Sequence, residues 1–253
     1  NLDVTATDKP FLEDVTDMSA MFYECKNLKN TNGSINTWDV SNVVQMQSMF
    51  YGDSLFNQPL NNWNTEKVQY MGSMFYNAAS FNQPLSWNTS KVTDMNSMFY
   101  GAKAFNSAIN FTNTEKVQNM GSMFQGAKAF NQPLSFNTSS VTNMGNMFYD
   151  AVSFNSPLNF TNTSKVQWMY SMFYNDSAFN QPVNFNTSEV RGMNGMFGNA
   201  ASFNQPVNFT NTSKVEQMSS MFAGAKVFNQ PLYFNILSVQ DMSAMFQGAK
   251  KFN

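Results

Sequence analysis

The sequence predicts an α/β solenoid, right-handed, of about ten turns, each pairing one short helix with one short parallel strand. Three observations carry this expectation. A Met-Phe pair recurs at Met21, Met49, Met74, Met98, Met123, Met147, Met172, Met196, Met221 and Met245. After a first gap of 28 residues the spacing alternates strictly between 25 and 24. Each pair sits in one string, Val141-x-x-Met144-x-x-Met147-Phe148-x-x-Ala151-x-x-Phe154-Asn155, which holds all 20 methionines and 19 of the 26 phenylalanines. A fixed period of this size marks a repeat array whose units bury their apolar faces only against their neighbours.

The helix comes first in each unit. At the helical step, Val141, Met144, Met147, Phe148 and Ala151 fall within an arc of about 120°, the apolar stripe of a short helix. Thr138 and Ser139 precede it where N-caps belong. Gly101, Gly126, Gly224 and Gly248, or Asn77, Asp150, Asn175 and Asn199, follow the aromatic pair where a left-handed residue ends a helix. The strand follows. Leu134 and Phe136 are two apart and point to one face of an extended segment, as do Leu85/Trp87, Leu158/Phe160 and Val207/Phe209. Pro133 withholds a donor, so the strand is short. A helix and a strand per 24–25 residues make a leucine-rich-repeat-like turn. Turns stacked about 4.8 Å apart give an array roughly 48 Å long, with right-handed crossovers and all Met-Phe pairs buried.

The alternation has a visible source. Junctions after Phe111, Phe160 and Phe209 read Phe-Thr-Asn-Thr, and those after Phe136 and Phe185 read Phe-Asn-Thr. The sequence therefore repeats as pairs of turns. Residues 1–14 form an N-terminal cap or flank, with Pro10, Phe11 and Leu12 placed to cover the first turn and Thr5 to Asp8 loose. Residues 15–253 form a single solenoid that stops inside its last repeat, as in a segment of a longer protein. The extra residues of the first gap, between Cys25 and Ile35, are expected to bulge from a loop, with Asn32-Gly33 as the turn signal.

Composition removes several function classes. Net charge is −2, with 12% charged residues, so there is no basic footprint for nucleic acid and no polybasic membrane patch. Apolar runs are too short for a transmembrane segment. One cysteine and no histidine exclude a disulfide framework and a cysteine zinc site; no metal or cofactor is expected. Among carboxylates, Asp17, Asp94 and Asp241 lie many turns apart, and Glu66, Glu115 and Glu189 precede helices, where they complement the dipole. The sequence is therefore read as not an enzyme.

Three columns remain. The asparagines after the strand-side phenylalanine, Asn57 to Asn229, read as an amide ladder along the array. The threonines Thr65, Thr89, Thr114, Thr138, Thr163, Thr187 and Thr212 read as helix caps. The residue after Met-Phe falls outside the apolar arc, and it is Tyr51, Tyr76, Tyr100, Tyr149 and Tyr174 before Gly198, Ala223 and Gln247 take over. Trp168 and Tyr170 add to that side. Partly exposed aromatics flanked by amides suit carbohydrate or protein recognition, so Tyr51, Tyr76, Tyr100, Tyr149, Trp168 and Tyr174 are the candidate binding residues.

Strings such as Phe81-Asn-Gln-Pro-Leu-Ser-Trp-Asn-Thr-Ser-Lys-Val92-Thr-Asp-Met95-Asn-Ser-Met-Phe99 resemble the repeats of the BspA-like surface proteins, a group filed as a mycoplasma domain of unknown function. The resemblance covers residues 15–253. It implies an extracellular, leucine-rich-repeat-like lipoprotein array at the cell membrane, anchored by a segment outside these residues and serving adhesion, host contact or antigenic variation. No catalytic residues carry over. The expectation is a non-catalytic cell-surface module that binds a host or cell-surface protein or glycan. The alternative is a structural spacer or variable coat with no specific ligand.

Overall fold

The computed structural model describes Val4 and residues 8–29 and 32–253. Among these the only helical element is one 3₁₀ turn, Ser34–Thr37. The chain instead winds as stacked coils, one per Met-Phe pair, each joined to the next by parallel backbone bridges. The bridge column runs Asp17, Gln45, Tyr70, Asp94, Asn119, Asn143, Trp168, Gly192, Gln217, Asp241.

Coil 4 shows how the apolar string folds. The N–H groups of Met98, Tyr100, Ala102 and Phe105 donate to carbonyls three residues back. The alternating N–H groups of Met95, Ser97, Phe99 and Gly101 donate to Asn119, Gly121, Met123 and Gln125 of coil 5, at 2.7–3.0 Å. The string is therefore a run of linked turns whose spare donors fasten one coil to the next. Ser97 (φ 55°) and Gly101 (φ 65°) are left-handed, and small or turn-forming residues hold the same two positions in most other coils.

The predicted helix-plus-strand, leucine-rich-repeat-like solenoid is thus incorrect. Two left-handed residues inside the stripe rule out a helix there. Spacing rules it out independently. Equivalent phenylalanines in successive coils, such as Phe124 and Phe148, stand with ring centroids 5.4–5.7 Å apart. Packed helices need about 8–10 Å between axes. Without strand–helix–strand units, the handedness argument has nothing to act on.

The Leu/Phe arc also departs from a continuous strand column. Parallel bridges form at Leu85–Ile109, Leu134–Leu158 and Val183–Val207, all 24 residues apart. Among the described residues no bridge of this arc spans the intervening steps of 25. There the threonine hydroxyl substitutes: Asn137 N–H donates to Thr114 Oγ1 at 2.8 Å and Asn186 N–H to Thr163 Oγ1 at 2.7 Å. The paired rhythm of the sequence is thus a rhythm of backbone pairing.

The core is a set of aromatic columns. Each Met-Phe phenylalanine of coils 2–10 also stacks within its coil on the downstream one, as Phe148 does on Phe154, at 4.0–4.2 Å. The Met-Phe pairs from Met49 to Met221 are fully buried. The end pairs are less covered: Met21 is 46% exposed and Phe246 only partly buried, each with one neighbouring coil among the described residues. Near the start, Leu12 packs on the core while Phe11 is exposed. The expected loose stretch lies largely outside the described residues, as do Asn30 and Thr31. The first-gap insertion turns at Gly33 (φ 71°) but does not simply bulge outward. Leu28, Ile35 and Trp38 are buried, and Trp63 Nε1 donates to the Ile35 carbonyl at 2.8 Å.

Candidate binding face

The residue after Met-Phe sits on the outer side of a turn, between its two left-handed positions. There the rings of Tyr23, Tyr51, Tyr76 and Tyr100 form a continuous stack, with centroids 4.6, 4.4 and 4.3 Å apart and planes within 11°. Tyr149 and Tyr174 form a second stack at 5.1 Å. Gln125 separates the two. Five of the six candidates thus fall into two ring stacks. Trp168 belongs to the bridge column instead, and it makes no ring contact with the tyrosines among the described residues.

The stacking dictates what a ligand can meet. The ring faces cover one another, leaving edges and phenolic oxygens outward. Burial, then the neighbouring Tyr100 and Tyr51, push the Tyr76 hydroxyl up to about 12. Burial, Asp150 and the flanking tyrosines raise Tyr149 as well. Both of these hydroxyls therefore keep their protons at neutral pH.

The end of the tyrosine column has a structural cause. A Cβ on Gly198 would lie 2.5 Å from Cδ2 and Cε2 of Tyr174, so the glycine makes room for the last ring. Trp168 likewise lies over Gly192, 3.1 Å from where a Cβ would stand, and Tyr170 covers Gly145 in the preceding coil.

The other columns prove structural. Each ladder asparagine accepts the backbone N–H of the next through its Oδ1, as Asn106 does from Asn131 and Asn131 from Asn155, at 2.9 and 2.8 Å. The threonines are not helix caps. They are buried, and their hydroxyls donate to the next coil, Thr89 to the Thr112 carbonyl at 2.7 Å. A buried hydroxyl column offers no outer array.

Two residues went unnoticed in the sequence. Asp53 and Asp176 occupy the core position held by Ala78, Ala102, Ala127, Ala151, Ala200 and Ala225. Both are fully buried, and no oxygen of either has a hydrogen-bond partner. Burial pushes Asp176 up to about 9 and Asp53 up to about 7, the latter held back by the backbone N–H of Cys25. That N–H already donates to the Phe22 carbonyl at 3.0 Å, so it acts electrostatically. Aligning the repeats would have revealed both, since a carboxyl replaces a methyl. They lie on coils 2 and 7, too far apart to form an acid–base pair.

A groove of about 560 Å³, lined by Lys9, Leu12, Glu13 and Asp39 among others, lies where the N-terminal flank meets coil 2. It is not on the tyrosine face. No described helix is long and apolar enough to cross a membrane.

No curated protein and no solved structure matches this sequence. One family model matches three times, at residues 3–110, 85–183 and 157–253, and together these spans cover nearly the whole chain. The chain therefore belongs to the repeat family described as Mycoplasma protein of unknown function, DUF285.

Proposed function

We propose that this chain is a non-catalytic cell-surface module whose outer tyrosine face adheres to a protein or glycan of a host or neighbouring cell. The observation behind the reading is that the core does not need the column. Gln125, Gly198 and Ala223 stand in for tyrosine while Phe124, Phe197 and Phe222 beside them stay fully buried. Side chains that packing can spare are available for recognition. The two stacks offer hydroxyls and ring edges at regular intervals, with Trp168 (39% exposed) to one side. That chemistry suits hydroxyl-rich or polar partners and gives nothing to nucleic acid. The chain's lack of histidine and its single cysteine support the non-catalytic part of the reading.

One observation favours the rival, a spacer or variable coat with no specific ligand: the tyrosines stack face to face, which is already a structural use. A glycan and extracellular-matrix array separates the two. The binding reading predicts a saturable hit that single Tyr→Ala changes weaken mildly and a triple change at Tyr76, Tyr100 and Tyr149 abolishes. No saturable hit favours the coat. A folded triple variant with unchanged affinity moves the site elsewhere.

A further inference from the structure

In coils 2 to 4 the outer tyrosines stand closer to one another than the inner phenylalanines beside them. Tyr51 and Tyr76 have ring centroids 4.4 Å apart and Tyr76 and Tyr100 4.3 Å, with planes within 5°. Phe50–Phe75 and Phe75–Phe99 stand at 5.6 and 5.5 Å. The tyrosine rings also run the same way: beyond burial, the hydroxyls of Tyr100 and Tyr51 add to the rise at Tyr76. Parallel rings that run the same way set each Cε carbon, ortho to the hydroxyl, against its equivalent in the next coil. Those are the atoms that join when two phenoxyl radicals couple. Backbone bonds at the tyrosines pin this register, since Gly52 N–H donates to the Tyr76 carbonyl at 2.7 Å and Asn77 N–H to the Tyr100 carbonyl at 2.6 Å.

Two further features suit the stack to oxidation. Tyr51, Tyr76 and Tyr100 are half-buried, so an oxidant in solvent reaches their edges and each ring has room to pivot toward its neighbour. The sulfur that would compete for the oxidant is withheld: Met46, Met49, Met71, Met74, Met95 and Met98 are all fully buried. The run then stops, because Gln125 follows Tyr100 in the column.

We propose that this stack is a modification site, at which one-electron oxidation joins Tyr76 to Tyr51 or to Tyr100 as dityrosine and so rivets neighbouring coils together. Each ring gives up one electron and its phenolic proton. The two radicals form one Cε–Cε bond, and each of those carbons then loses its hydrogen as a proton while its oxygen regains one. Hydrogen peroxide, working through a haem peroxidase, takes up the two electrons and two protons and leaves as two waters. The net change in the chain is the loss of two hydrogens. Stacking makes the radical coupling intramolecular, which favours it over collision between copies. The coupling needs only the rings' geometry and stands whether or not the face adheres to a partner.

The test is to treat dilute folded chain with a haem peroxidase and hydrogen peroxide, follow dityrosine fluorescence, and map the tryptic cross-links by mass spectrometry. Lys67 and Lys91 lie between the three tyrosines, so each falls in its own tryptic peptide. The product should keep the gel mobility of a single 28.6 kDa chain and carry Tyr51–Tyr76 or Tyr76–Tyr100 links. Tyr76→Phe, which keeps the stacked ring and removes the phenol, should abolish both. Oxidation in urea should lose the preference for these pairs. Folded chain that forms no dityrosine overturns the proposal. So do links that instead join copies through Tyr233, which is 88% exposed and unstacked among the described residues. A Tyr100–Tyr149 link as abundant as the stacked pairs, or the same pattern in urea, overturns it as well.

Discussion

Phe148 and Tyr149 are adjacent in sequence and repeat with the same period, yet their columns behave differently. The Phe148 column runs unbroken from Phe22 to Phe246, each ring against the next. The Tyr149 column is broken at Gln125 and ends at Tyr174. The difference teaches which positions the stack requires. An inner position is fixed by neighbours above, below and within the coil. An outer position has ring neighbours only in the coils above and below, and a glycine beside it can end the run.

The largest expected effect is on the inner column. Phe148 is fully buried and contacts the rings of Phe124, Phe154 and Phe173. Phe148→Ala should cost about 3–5 kcal/mol in urea unfolding, with coils 5 to 7 losing amide protection before distant ones.

Next comes a core position where the chain is poorly matched to itself. Asp176 is buried without a partner among alanine-bearing coils, so Asp176→Ala should stabilise by about 1–3 kcal/mol. The sign of its pH dependence follows from linkage. Between the ordinary 3.8 and about 9, the folded Asp176 keeps a proton that the unfolded chain has released. Stability therefore falls as pH rises through that window and levels off above about 9. Asp53 adds the same slope up to about 7. Urea midpoints from pH 4 upward should decline for wild type and decline less for Asp176→Ala. A gain in stability with rising pH would contradict the buried, unpartnered assignment.

At the edge of the outer column, Gly198→Ala places a methyl 2.5 Å from the Tyr174 ring and should cost about 1–3 kcal/mol. Adding Tyr174→Ala should recover part of that loss, and a double-mutant cycle with no coupling would mean the ring is not seated on the glycine. Smallest is Tyr149→Ala, which removes one stacked pair and should cost about 0.5–1.5 kcal/mol.

The sequence made the period, the core positions, the amide ladder and the outer tyrosines readable, because each depends only on which residues recur together. It did not reveal the backbone. Val141, Met144, Met147 and Phe148 lie on one face of a helix, but the same spacing of three also suits linked turns. The discriminating signal was the residue two after each first methionine: Ser73, Ser97, Ser122, Asn146, Gly195. Small and turn-forming residues recur there because φ is positive, at 55–63° in these coils. The threonines were misassigned for the same reason. With no helix to cap, Thr89 serves the next coil. Within the site, the columns were legible but the face-to-face stacking was not, since ring orientation depends on the coil spacing.

The central claim is that this array is built from linked turns fastened coil to coil, with no α-helix in its repeats. Far-UV circular dichroism of the purified chain tests it most directly. The account predicts a spectrum without the paired minima of α-helix, unchanged until cooperative unfolding. Strong helical minima, as one helix of about ten residues per repeat would give, would contradict it.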